Sequence, residues 1–334
     1  MYQFPDWQRE NWIEAAGNPV VNYRTEDGVK TAIGDPTVLI PGEFDDGWHL
    51  FCHGFRNDNY APRLFHFVSE NGDCWDMKRM VDIEANPTYL FRDDGRWILY
   101  YTAALQDESQ RKKYGAINMI RARVSDDLEN WSEPVDLLMP ELPWERETDP
   151  SEVWRVEVRN PCVCKLPNGR YRMYYSGGTV LLRDCGYEEP KYIGYAEADS
   201  PLGPFVKAAE PILGPDAAMS HRNYGAGALK VFRWREQFLG LYNSIYVDEN
   251  QVSRSAINLL LSSDGISWEE APFNPIILPT DKGWNSNLIY QLDLVQLGGE
   301  LRIYYNARSG AADAAEGIGF SVLRGFSEPV TKMR

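Results

Sequence analysis

RNPCVCKLPNGRYRMYYSGG, residues 159–178, reads as two short strands joined by a tight turn. Residues 161–165 form a short apolar run and polar and apolar residues alternate over 170–173, the length and period of strands rather than helices. Between them Leu166-Pro-Asn-Gly169 supplies residues that enter positive φ at little cost. The phrase recurs at 34–55 (GDPTVLIPGEFDDGWHLFCHGF), 85–104 (ANPTYLFRDDGRWILYYTAA), 225–244 (GAGALKVFRWREQFLGLYNS) and 290–309 (YQLDLVQLGGELRIYYNARS). Asp94-Gly95 and Gly298-Gly299 stand where the first copy has Asn168-Gly169.

A second phrase follows each hairpin: ARVSDDLENWSEPVDLL from Ala122, AEADSPLGPFVKAAEPIL from Ala196 and LLLSSDGISWEEAPFNPIIL from Leu259. A shorter form begins at Phe67, and the chain ends on SVLRGFSEPV from Ser321. Each reads as a third strand, a turn carrying Asp or Gly, and a fourth strand. Four antiparallel strands cannot bury both faces alone, so such units stack around an axis. Repeats spaced at ~40 to 50 residues or more match one sheet per unit with lengthened loops. The expectation is an all-β, five-bladed β-propeller with four antiparallel strands per blade. Because the repeats run almost to the C-terminus without a linker, residues 1–334 are expected to be a single domain.

Asn18-Pro-Val-Val resembles the blade-ending Asn274-Pro-Ile-Ile and Glu210-Pro-Ile-Leu, while the last blade is cut short after Val330. An N-terminal strand that completes this blade would remove two exposed edges. One short helical turn is expected within 107–119, and no long helix elsewhere.

Of the 334 residues 43% are hydrophobic and 13% aromatic, with 11 Trp and 19 Tyr, ample for a core and for the ring platforms on which sugars stack. Most of these rings are expected to fill the core. Net charge is −15, with no Lys/Arg cluster, so nucleic acid and anionic membrane surfaces are not expected partners. MYQFPDWQRENW lacks a basic and then apolar leader, and no stretch approaches the ~20 apolar residues of a membrane span, so a cytoplasmic location is expected. Five scattered cysteines, Cys52, Cys74, Cys162, Cys164 and Cys185, complete no zinc set. They are expected to be reduced, mostly buried thiols.

With Gly34-Asp35-Pro36 opening the first unit and S-x-D-G-x-x-W outside, the repeats resemble the arabinanase and fructosidase superfamily of propeller glycosidases. The likeness is nearest to glycoside hydrolase family 43, with families 32, 68 and 130 behind it. The resemblance implies a glycosidase with an oligosaccharide substrate, in which blade one offers an Asp base, blade two an Asp that tunes the acid, and blade three a Glu acid. Asp35 matches the first motif. Asn86-Pro87 stands where relatives carry Asp-Pro, and an amide cannot supply the charge that raises a neighbouring acid's pKa. Glu84 or Asp293 would then take that role, or the mechanism differs.

Relatives place Glu two residues before the third Pro, where this chain has Arg159 in Glu157-Val-Arg-Asn160-Pro161. Two residues apart on a strand, Glu157 and Arg159 face one side, and the cation would lower the carboxyl pKa, which suits an acid poorly. The acid is then Glu157, with burial as an offset, Glu152 on the preceding loop, or a residue that these motifs do not place. Two carboxyls ~6.5 to 9.5 Å apart give inversion and ~5 to 5.5 Å retention. Likeness to family 43 implies inversion.

Asn86, Arg159, Asn160, His221, Arg222, Asn223, Trp284 and His53 open inner strands or the loops above them, where they could bind hydroxyls or, for Trp284, stack on a ring. Loop packing is the plainer alternative for each. Related propellers hold a calcium ion or water cluster on the axis, but no ligand pattern here marks one and no cofactor is expected. Three functions follow: an exo-acting hydrolase releasing a terminal arabinofuranose, xylose or fructose unit, a family 130-type phosphorylase using Arg159, Arg222 and His221 for phosphate, or a propeller that binds glycan or a protein partner without cleavage. Oligomeric state is not encoded in these patterns.

Overall fold

The computed structural model describes residues 2–26, 29–56, 59–86, 88–105, 107–148, 156–310 and 314–333. Each repeat forms an antiparallel sheet, and the five sheets are the blades of a five-bladed β-propeller. Blade three shows the plan, with strands Val158–Lys165, Tyr171–Leu182, Tyr187–Ala198 and Val206–Lys207 paired in sequence order. All twelve residues of its second strand are buried, because a central strand is covered on both faces. Arg172 is tolerated there because Glu197 on the next strand accepts from its Nε at 2.9 Å and its Nη2 at 2.7 Å.

Blades two, three and five have four strands, whereas blades one and four each carry a fifth. The fourth strand of blade five is Ile13–Glu14, paired with Gly317–Arg324 through Ile13 with Val322 and Glu14 with Ser321. Asn18 clamps the same strand, donating from Nδ2 to Phe320 O at 2.9 Å and accepting from Phe320 N at 3.0 Å. The C-terminal strand Val330–Lys332 lies beside Gly225–Trp234 in the sheet of blade four. Glu108–Tyr114 forms a helix of 7 residues. No helix among the described residues is long and apolar enough to cross a membrane.

The turn chemistry read from the sequence divides in two. At Asp94-Gly95 both residues have positive φ, 47° and 80°, the mark of a type I′ hairpin turn. At the equivalent turns only Gly169 and Gly298 do. The S-x-D phrase builds a second kind of turn. Ser125 and Ser262 donate to Asp127 and Asp264 Oδ1 at 3.1 and 2.9 Å, and those oxygens accept backbone N–H groups two and three residues on.

Two compact units are distinguished, one of Met1–Asn86, Phe232–Asn243 and Arg254–Thr331, the other of Pro87–Val231, Ser244–Ser253 and Lys332–Arg334. The first has cores around Trp7, Trp234, Leu259 and Tyr305 and around Val38, Trp48, Leu50 and Tyr304. The second is built on Phe91, Tyr100, Val163, Met173 and Tyr175. All five cysteines are free, with Cys52, Cys162 and Cys164 buried, Cys185 half-buried and Cys74 exposed.

Candidate functional site

The first strand of blade one, Val29–Leu39, slips in register against Trp48–Arg56 between Gly34 and Thr37. That bulge is where Gly34-Asp35-Pro36 sits. Asp35 has φ of 57°, a region Asp tolerates better than most residues, and Pro36 follows where a bulge needs no ladder N–H. Blade three repeats the device: its register slips between Arg159 and Cys162, and Asn160 has φ of 60°. The recurrent Asx-Pro is thus a way of turning one short side chain out of the ladder.

In the first unit, Asp35 Oδ2 lies 2.9 Å from His53 Nδ1. Both residues are buried, and His53 is the cross-strand partner of Gly34. Burial pulls the imidazole pKa down, but the Asp35 carboxylate beside it, with Glu316 contributing, outweighs this and the net shift is upward. Glu316 O accepts from Ile33 N at 3.2 Å, and Glu316 Oε2 accepts from Asn306 Nδ2 at 2.7 Å. Dense surroundings raise the Glu316 pKa and Asp35 raises it further, against His53, Asn306 and Arg308, which lower it. Even so, Glu316 keeps part of its surface at solvent.

Gly34 explains why these groups can gather. A Cβ on it would stand 2.7 Å from Asn306 Nδ2, 2.8 Å from Glu316 Oε2 and 2.9 Å from His53 Cε1. Of this cluster the sequence motifs single out Asp35 and His53, and not Asn306, Arg308 or Glu316. Asn306 follows the Tyr-Tyr pair of the fifth repeat, a position where blade three has the polar Ser176, so a weak signal existed. Glu316 precedes its strand in no motif.

Asp293 is 1% exposed, and its Oδ2 accepts from Val38 N at 2.8 Å, fastening the first strand of blade five to that of blade one. Trp284 stacks on Tyr305 at 5.4 Å and 19°, and its Nε1 donates to Glu14 at 2.7 Å, so its ring is packed at the core edge. Asn86 is half-buried in the bend that ends its segment.

The second unit holds the remaining candidates. Glu157 is 2% exposed, with Arg159 Nε 3.3 Å from its Oε1, as their spacing requires, and Asn118 Nδ2 donating to its Oε2. Arg159 also donates from Nη2 to Glu188 O at 3.2 Å. Asn160 Nδ2 donates to Ser176 Oγ at 3.0 Å, and that hydroxyl donates to Gly227 O at 2.6 Å. Arg222 is bound within its own loop, through Gly214 O and Met219 Sδ. Asn223 pins a strand end, donating to Val247 O at 3.0 Å and accepting from Val247 N at 2.9 Å. His221 is half-buried in the same turn. Glu152 lies outside the described residues.

The five-bladed fold is shared with solved carbohydrate enzymes. The GH62 α-L-arabinofuranosidase catalytic domain of Coprinopsis cinerea matches with a TM-score of 0.65 at 14% identity, over 96% of this chain and 98% of that one. A thermostable family-43 glycoside hydrolase matches at 0.58 and 14%, over 91% and 90%. A β-1,2-mannobiose phosphorylase from Listeria innocua, solved with β-1,2-mannobiose, matches at 0.62 and 13%, over 93% and 96%. These likenesses establish architecture, and chemistry must be argued from side chains. No protein-family model matches the sequence, and no curated protein does.

Proposed function

We propose that the chain is a glycoside hydrolase that releases a terminal furanosyl or pyranosyl unit from an oligosaccharide by inversion, with Asp35 as general base. The observation that carries this reading is the Asp35 carboxylate, turned out of a bulged strand at φ of 57° and braced by buried His53 at 2.9 Å. A base must be fixed before substrate arrives, and a buried imidazole at that distance holds it in place. His53 faces Asp35 Oδ2, which leaves Oδ1 to take a proton from water. The fold, shared with an arabinofuranosidase and a family-43 hydrolase, supports the reaction class.

Phosphorolysis is less well supported. Of its candidate phosphate ligands, Arg222 is committed to its own loop and Arg159 to Glu157 and Glu188. A screen of nitrophenyl furanosides and pyranosides, with and without phosphate, tests the reading. The expected result is phosphate-independent release of a sugar whose first-formed anomer is inverted by NMR. Release only as a sugar 1-phosphate, or no release from any glycoside, would refute it.

A further inference from the structure

We propose that Glu316 is the proton donor of this cleavage and that Asn306 is its positioning residue, an inference that rests on the hydrolase reading above. Blade three, where the resemblance puts the acid, offers a poor one. Glu157 is 2% exposed, with Asn118 donating to one oxygen and Arg159 Nε 3.3 Å from the other, so it is closed off from the solvent side through which a leaving group would come. Glu316 has the opposite arrangement. Its backbone is tied to Ile33, immediately before Gly34, and its Oε2 is held by the Asn306 amide at 2.7 Å. Because that amide can only donate, the acidic proton is placed on Oε1.

The surroundings keep that proton in place until it is needed. Burial and the Asp35 charge favour the neutral carboxyl, and together they outweigh His53, Asn306 and Arg308. Two carboxyls in one site whose environments divide the roles is the pattern of a general acid beside a general base. In the step, the anomeric C–O bond breaks as the leaving oxygen takes the proton from Glu316 Oε1. Water oxygen bonds to the anomeric carbon and yields a proton to Asp35. One water is consumed, two hydroxyl compounds leave, and solvent returns the proton from Asp35 to Glu316.

Glycosides that share one sugar but differ in leaving group test this. Dinitrophenolate departs without a proton, whereas an alcohol needs one. Glu316→Gln is expected to lose ~10² to 10⁴-fold on an alkyl glycoside and under ~10-fold on the dinitrophenyl glycoside, with the basic limb of its pH–rate profile abolished. Asn306→Ala removes a hydrogen bond that stabilises the carboxylate, so its basic limb moves to higher pH while KM stays near that of the wild type. This second variant keeps the test decisive where Glu316→Gln does not fold. Equal losses on both leaving groups, an unmoved limb in Asn306→Ala, or leaving-group selectivity appearing in Glu157→Gln instead would each overturn the assignment. A wild-type protein that cleaves neither glycoside would refute the hydrolase reading itself.

Discussion

Asp35 Oδ2 and His53 Nδ1 stand 2.9 Å apart, each on one of two adjacent strands whose register pairs His53 with Gly34. His53→Gln removes the imidazole and leaves the carboxylate free to swing. A loss of about 10 to 100-fold in kcat/KM is expected, the scale of a small misplacement of a catalytic group. Stability carries a second signature. Since folding raises the His53 pKa, its contribution is complete below the unfolded value near 6.5 and fades as pH rises through the folded one. The raised pKa of Glu316 acts in the same direction, from its unfolded value near 4.5 upward. Thermal melts from about pH 6 to about pH 9 should fall more steeply for wild type than for His53→Gln.

Gly34→Ala places a methyl within 3 Å of Asn306, Glu316 and His53. Overpacking of this kind costs about 1 to 3 kcal/mol, and the three side chains can yield only by leaving their partners. Urea denaturation should show the loss, with activity falling at temperatures where the variant is still folded. Gly17→Ala, which meets nothing within 4 Å, is the control and should be near neutral.

His66 predicts sensitivity to acid. It is 1% exposed, stacks on Phe51 at 4.1 Å, and its Nε2 lies 2.9 Å from His49 Nδ1. Burial first, then His49, Lys78 and Arg79, hold its pKa down at about 3. The unfolded chain takes up this proton below about 6.5 while the folded chain refuses it, so stability is present above that pH and lost as pH falls. By about pH 4 the loss is on the order of 3 kcal/mol. His66→Phe, which cannot protonate, should flatten this part of the curve in denaturation at successive pH values.

Glu145 anchors the long insertion of the second unit. Fully buried, it accepts from Glu141 N at 2.6 Å, Leu142 N at 2.7 Å, Tyr175 Oη at 2.6 Å and Lys207 Nζ at 2.9 Å. Glu145→Ala takes the nearest carboxylate from the buried Lys207 ammonium, which keeps Met139 O and Glu141, strands two backbone donors and should cost about 3 kcal/mol by chemical denaturation.

The blade pattern was legible because strand alternation and turn residues are local properties. Asn168-Gly169 and Ser262-x-Asp264 announce their turns from a few neighbouring residues. Asp35 was legible for the same reason, since a bulged strand before Pro leaves a short sequence trace. Glu316 and Asn306 were not, because what makes them a site is the absent side chain of Gly34, hundreds of residues away in the chain. Arg222 and Asn223 show the converse: polar loop residues look alike in sequence whatever they face, and here the structure adds their bonds to Gly214 and Val247. The edge strands Ile13–Glu14 and Val330–Lys332 are too short for periodicity to reveal, and only their partners define them.

Asp35 as general base is tested most directly by kcat/KM for Asp35→Asn beside wild type on the best glycoside from the screen, with circular dichroism confirming that both are folded. A fall of about 10² to 10⁴-fold is expected, because the amide keeps the shape of the site but cannot accept the proton of water. Undiminished hydrolysis by the folded variant would contradict it.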